Sequence, residues 1–433
     1  MKFMELLNQT AEILPAYRQV IFKTFVIAML SGCSRTSSVF RRFACLFKNG
    51  SVTRKRFYNF LNSGKLPWDC LWRFLSKVIS GHIVRGGRIM VALDDTTYGK
   101  SGKNIAGCAT HFDHAAKKNS AKWIFGHCRV VAGILIFAHG RWMCLPFAQQ
   151  LFQPLPKNVK DSRKLSYAQW LKTKSGIGAT LVAKMAKLFN KSVLIVCDSW
   201  FGTKPLLEEA RRASETTIHL LTRLRVNSIL FAFPIADSGR RGRPRKYGKK
   251  LKVKTLAAQL KVSAMTRKIH LYGKLRDCTF AETICMSKAL QCKIKVVFIY
   301  RKNSVFPLLS TDLDMSAEEM IEYYSARWKI ESGFKEIKHE IAALDSQCRN
   351  ANAVENHFEL CCFVTSMAWA YVLLTPKAPA RMHPTSKSNA YAFADVRRQI
   401  ISELHHSIFH IGCLKEVIPA VKFICSKIFY MAA

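Results

Sequence analysis

The sequence predicts an α/β protein: a core of short apolar strands alternating with helices, with helical, strongly basic regions at both ends. Three observations predict it. Apolar runs at 89–93, 130–137 and 193–197 are of strand length, and helical patterns such as 181–189 lie between them. The residues before 89 carry helical spacing instead, as in Val20, Phe22, Phe25, Val26, Met29 and Leu30. The chain of 433 residues is 49% apolar and 22% charged, enough for two to four domains with sizeable cores. That mixture excludes disordered, collagen-like and coiled-coil chains.

Charge narrows the function. Lys and Arg number 68 against 28 Asp and Glu, a net charge of +40. Such an excess points to a polyanionic partner, and nucleic acid is the commonest. The 15 cysteines are odd in number and contain no C-x-x-C pair. That is the pattern of reduced thiols in a cytoplasmic chain, not of a disulfide framework. The first residues, MKFMELLNQTAEIL, lack the apolar centre of a secretory signal. The longest apolar stretch, 360–374, has 15 residues, short of the roughly 20 that span a bilayer, so it reads as a buried helix with no membrane role.

Five segments follow in order. Residues 1–88 hold 15 Lys and Arg against three acids and read as short basic helices capped at Ser34, Ser51 and Ser63: a helical DNA-binding domain. Residues 89–223 form the first part of the α/β core. Residues 224–305 are expected as a basic, β-rich insertion, since 225–295 carry 18 Lys and Arg against Asp237, Asp277 and Glu282, with β-like runs at 229–233, 268–271 and 293–300. Residues 306–380 complete the core, with one long helix expected over 316–344. Residues 381–433 are expected as a C-terminal helical tail, a candidate for contact between copies.

The acids that could do chemistry stand out because acids are scarce. Two apolar runs end in Asp, one at Asp94-Asp95 and the other at Asp198. Strand ends are where α/β folds place ligand sites, although an Asp there also serves as a cap. Further on, Tyr324, Arg327, Glu331 and Lys338 lie at offsets 0, 3, 7 and 14. On a helix these fall within a stripe about 60° wide, beside an apolar stripe of Ile330, Phe334, Ile337 and Ile341. A carboxylate for metal flanked by cations for phosphate suits phosphodiester chemistry. A surface helix with i,i+4 ion pairs explains Glu331 and Lys335 equally well, but not the co-facial Tyr324.

The pattern Y-x2-R-x3-E-x6-K resembles the signature of bacterial insertion-sequence DDE transposases of the Y-R-E-K group. Asp95-Thr96-Thr97 is similar to the first catalytic motif of that group, and VLIVCDSWFG, with Asp198, to the second. Ser199 departs from it, since several relatives carry Arg there. The likeness spans residues 89–375 and implies a ribonuclease-H-like core with the β-rich insertion before the last catalytic residue. It implies that Asp95, Asp198 and Glu331 hold two Mg²⁺ ions, with Mn²⁺ as substitute, about 3.5–4 Å apart. It implies that Tyr324, Arg327 and Lys338 grip phosphates near the cut. Asp94 competes with Asp95 for the first position; Asp95 is favoured because it directly precedes Thr-Thr. The 133 residues from Asp198 to Glu331 fit relatives whose insertion holds the transposon end. The implied partners are double-stranded transposon ends and target DNA, with a homodimer in the synaptic complex, and the implied place of action is the nucleoid.

Two other patterns bear on ligands. Residues 241–246, RGRPRK, resemble an AT-hook whose Arg243 and Arg245 would enter an A·T-rich minor groove; a flexible basic linker touching phosphates is the other reading. Cys108, His111, His114, His127 and Cys128 match no common zinc spacing and read as an ordinary loop.

Overall fold

A computed structural model describes residues 1–43, 52–83, 85–113, 119–156, 159, 165–234, 245–302, 304–384 and 390–409. Among the described residues the chain opens with helices α1 (Phe3–Ala11), α2 (Ala16–Leu30), α3 (Thr36–Phe43), α4 (Arg54–Asn62) and α5 (Trp68–Ile83). Strands β1 (Arg88–Gly99), β2 (Ala109–Phe112), β3 (Trp123–Ala138) and β4 (Arg141–Phe152) follow. Next come α6 (Tyr167–Leu171), α7 (Lys174–Phe189), β5 (Ser192–Cys197), α8 (Lys204–Ser214) and β6 (Ile218–Arg223). A second run of strands comprises β7 (Ile229–Phe231), β8 (Lys250–Lys252), β9 (Met265–Leu271), β10 (Lys274–Ser287), β11 (Cys292–Arg301) and β12 (Ser304–Ser310), with helix α9 (Val253–Leu260) between β8 and β9. Helices α10 (Ala317–Ala326), α11 (Trp328–Lys335), α12 (Ala351–Leu374) and α13 (Phe393–Phe409) close the described chain.

Among the described residues, twelve strands make one sheet. Its first part runs β4-β3-β1-β5-β6, with β3 antiparallel to β1 and β4, and β1, β5 and β6 parallel. This mixed order, with helices between the parallel strands, is consistent with a ribonuclease-H-like core. Apolar side chains dictate it: β1, β3 and β5 are buried on both faces, as the continuous runs require. A two-residue turn closes β3 onto β4, where His139 and Gly140 both take left-handed φ, the geometry of a type I′ hairpin.

The strands expected as an insertion continue this sheet rather than stacking on it. β12 pairs antiparallel with β6 through Leu308↔Arg223, and β11, β10, β7 and β8 follow outward. Edge pairing satisfies the backbone groups that β6 would otherwise leave open. β12 reaches Ser310, five residues beyond the expected end of the insertion at 305.

The amino-terminal helices pack around α12. Phe22, Trp68 and Trp72 meet the Phe363 ring, the Trp72 indole donates to Glu359 at 2.6 Å, and Asn356 donates to the Leu61 and Ser63 carbonyls. One continuous apolar cluster therefore runs from Phe3 to Leu404. By length and composition α12 could cross a membrane, but 89% of its apolar window is buried inside the protein. Of the expected tail, only α13 and the residues before it are described, and residues 410–433 lie outside the described residues.

Candidate active site

β1 and β5 set the first two acids. Their last parallel pair is Leu93↔Cys197; the next residues are Asp94, still within β1, and Asp198, the first residue past the end of β5. Residues in register on parallel strands point the same way, and the Asp198 charge acts on the Asp94 carboxyl, so the two carboxylates stand together at the strand ends. Asp95, one step on, points to the other face.

On the first face, Arg327 joins Asp94 to Glu331. Its guanidinium lies 3.2 Å from Asp94 Oδ2 and 2.9 Å from Glu331 Oε1. Burial, opposed by Arg327 and reinforced by Asp95 and Asp198, pushes the Asp94 carboxyl up to about 7. Asp198 Oδ1 accepts from the Trp200 and Phe201 backbone N–H groups at 2.9 and 3.1 Å, which fixes the turn after β5.

The helix carrying the signature is not one long helix. It breaks between α10 and α11 at Arg327, continues as a π-helical turn over Glu336–Glu340, and ends where Ala342 turns left-handed. Such wide turns recur at functional sites because they re-aim one side chain. Here Lys338 reaches the end of β1: its Nζ donates to the Thr97 carbonyl at 3.0 Å and sits 5.8 Å above the Tyr98 ring. Burial lowers the Lys338 pKa. The Tyr324 ring packs on Phe306 at 5.7 Å and lies 5.6 Å from the Arg327 guanidinium. Arg327 and Glu331 thus lie beside Asp94, and Lys338 beside the end of β1, although the break at Arg327 and the π-helical turn depart from the single regular helix of the wheel.

Asp95 has different company. Lys174 Nζ lies 2.8 Å from its Oδ2, and the Cys128 thiol donates to the same oxygen at 3.5 Å. Lys174 is the first residue of α7, behind the cap of Thr173. A cation there opposes the helix dipole, and a carboxylate partner relieves it. Burial is the largest single influence on Lys174 and lowers its pKa, but the Asp95 charge, Cys128 and the hydrogen bonds to both together outweigh it and the net shift is upward. The structure therefore brings Asp94, not Asp95, to Glu331, because strand alternation turns Asp95 away. Lys174 was not visible beforehand: 79 residues separate it from Asp95. The Asp94 signal was visible, since Asp94 and Asp198 are both the first polar residue after an apolar run.

Among the described residues, no three His, Cys, Asp or Glu side chains lie close enough to share a metal ion. A guanidinium occupies the position between Asp94 and Glu331. Its buried Nε has no acceptor, so Arg327 matches the surrounding oxygens only in part. An all-oxygen donor set fits a hard divalent cation. In the His and Cys loop, His127 contacts the Ala106 carbonyl at 2.9 Å and Cys108 at 3.4 Å. Arg245 is exposed, while Arg243 and His114 lie outside the described residues. Beside the site, a groove of about 750 Å³ opens between the amino-terminal helices and the end of β1, lined by Arg35, Tyr58, Lys100, Arg349 and Asn350.

Comparison with known proteins decides the family. The family model of the DDE superfamily endonucleases matches residues 10–281, more than half of the chain. This chain is a DDE superfamily endonuclease. A second model, the archaeal putative transposase ISC1217, matches residues 249–350, which carry Tyr324, Arg327, Glu331 and Lys338. Membership of the DDE superfamily makes nuclease or transposase activity on DNA the coarse function. No curated protein matches this DDE endonuclease. Among solved structures, the NurA nuclease from Sulfolobus solfataricus is similar at 8% identity and a TM-score of 0.24, over 67% of this chain and 85% of that one.

Proposed function

We propose that this DDE endonuclease is a transposase that binds the terminal inverted repeats of an insertion sequence, cuts at their ends and joins them to target DNA. The observation that carries this reading is the shared Arg327 bridge between Asp94 and Glu331, on the strand-end face that also bears Asp198. Asp94, Asp198 and Glu331, not close enough to share an ion while Arg327 stands between Asp94 and Glu331, would hold two Mg²⁺ ions, or Mn²⁺ in their place, once Arg327 withdraws. When bound, such a pair supplies activation of a nucleophilic oxygen and stabilisation of the leaving one.

The chain's own residues do the rest. Arg327 leaves the acids to hold a phosphate by its planar fork. Lys338, anchored on the end of β1, offers an ammonium beside the same phosphate. Tyr324, whose phenol burial keeps protonated, donates a hydrogen bond there. Asp95 acts through Lys174 as a positioning residue that fixes α7 against β1. The basic groove and Arg245 carry flanking DNA, with Arg243 alongside in sequence. Two ends must meet, so a homodimeric synapse acting at the nucleoid completes the reading.

The test is cleavage and joining of the DNA ends that flank the gene, in Mg²⁺, by wild type and Glu331→Gln. Wild type cuts and yields joined product; the variant does neither. A variant that cuts as well as wild type contradicts the assignment, and cutting without any joined product reduces the protein to a nuclease.

A further inference from the structure

The face of the sheet that carries Asp94 does not end at the acids. On β1 and β3 the pairs Asp94↔Val131, Thr96↔Arg129 and Tyr98↔His127 place odd-numbered β3 residues on the acid face. Phe125 and Trp123 continue that series, and their partners Thr110 and Phe112 extend it onto β2, the edge of the sheet. The intervening residue His111 points the other way, into the field of Lys174 and Asp95.

Three aromatic rings therefore stand on this edge. Trp123 is 61% exposed, Phe125 40% and Phe112 40%, and the Phe112 and Trp123 rings meet edge to face at 5.3 Å. Large exposed rings grouped on one strand pair mark an interaction surface. Lys122 is exposed beside Trp123, and Lys100 and Lys338 both stand over the Tyr98 ring, at 5.7 and 5.8 Å, between the acids and the edge. At about 3.3 Å per residue, the rings begin ~20 Å along the strands from Asp94.

We propose that Phe112, Trp123 and Phe125 form a stacking platform for unpaired bases of the DNA strand that leads to or from the acids. Every base has a π-face, so such a platform binds single strands with little sequence preference, while neighbouring lysines follow the phosphates. Cations between the rings and the acids complement a polyanion. The same lysines beside the rings disfavour an equally basic second copy of this chain at this surface and favour a polyanion. The proposal rests on the DNA-cleaving reading above, yet binding measured without metal tests it apart from cleavage.

The experiment uses the full chain in EDTA at fixed salt. Affinity for a fluorescent oligothymidylate single strand and for a duplex of equal length is measured for wild type, Trp123→Phe, and the combined Phe112→Ala, Trp123→Ala, Phe125→Ala variant. The triple variant loses about 10- to 100-fold in single-strand affinity while duplex affinity stays within about twofold, and Trp123→Phe stays close to wild type. Unchanged single-strand affinity overturns the proposal. So does an equal loss for both DNAs, which marks a phosphate surface or a disturbed fold. A change in sedimenting mass with unaltered DNA binding overturns it in favour of a contact between copies. Loss of cleavage in Mg²⁺, by contrast, bears on the acid site and leaves these results readable.

Discussion

The Arg327 guanidinium lies 3.2 Å from the Asp94 carboxylate and 2.9 Å from Glu331, so one side chain supplies the positive charge between two acids from different elements. Arg327→Ala removes that charge and leaves the mostly buried Asp94 without its partner. We expect a loss of about 1–3 kcal/mol in metal-free buffer. Mg²⁺ then raises the melting temperature of the variant more than that of wild type, because an ion bound to the folded state alone stabilises it by mass action. Thermal melts with and without Mg²⁺ check this; equal shifts for both proteins contradict it.

Asp95 and Lys174 form a second pair on the opposite face, with both side chains largely covered, at 24% and 17% exposure. Lys174→Met alone strands the carboxylate and costs about 1–3 kcal/mol. Asp95→Asn combined with Lys174→Met costs less than the sum of the two single changes. A double-mutant cycle by urea unfolding reads the coupling; strict additivity shows that the pair does not hold α7 on β1.

His357 is buried on α12, with Nε2 3.2 Å from the Ser34 carbonyl, and burial pushes its pKa down to about 4. Above pH 6.5 the imidazole is neutral in both folded and unfolded chains and contributes no pH dependence. Between pH 6.5 and 4 the unfolded chain binds a proton that the folded one refuses, so stability falls as pH falls, by up to about 3 kcal/mol, and levels off below 4. Asp94 contributes the opposite slope, since its carboxyl is pushed up to about 7. Comparison with His357→Gln cancels that contribution. The stability advantage of wild type over the variant shrinks from pH 7.5 to pH 5 in paired melts; a constant difference contradicts the buried neutral histidine.

Much of this was legible in the sequence because it depends on local spacing. The apolar runs became β1, β3 and β5, and the four-residue offset of Arg327 and Glu331 became an ion pair across one helical turn. What escaped depends on register and distance. Whether Asp94 or Asp95 faces the helix is settled by which residue pairs with Cys197, and a slip of one residue exchanges the faces. The β12–β6 pairing that fuses the expected insertion to the core joins residues 85 positions apart, Arg223 and Leu308, which no local pattern announces. The break at Arg327 and the π-helical turn escaped for another reason: regular periodicity describes a single straight helix, and Lys338 sits in the π-helical turn, where it meets the Thr97 carbonyl.

The most direct test is the rate of Mg²⁺-dependent DNA cleavage by Asp94→Asn and Asp95→Asn, measured side by side on the same ends. Asp94→Asn is expected to abolish detectable cleavage, while Asp95→Asn, which acts through Lys174, slows it by about 10- to 100-fold. Robust cleavage by Asp94→Asn together with none by Asp95→Asn would contradict the account, and would return the first acid to the other face of β1.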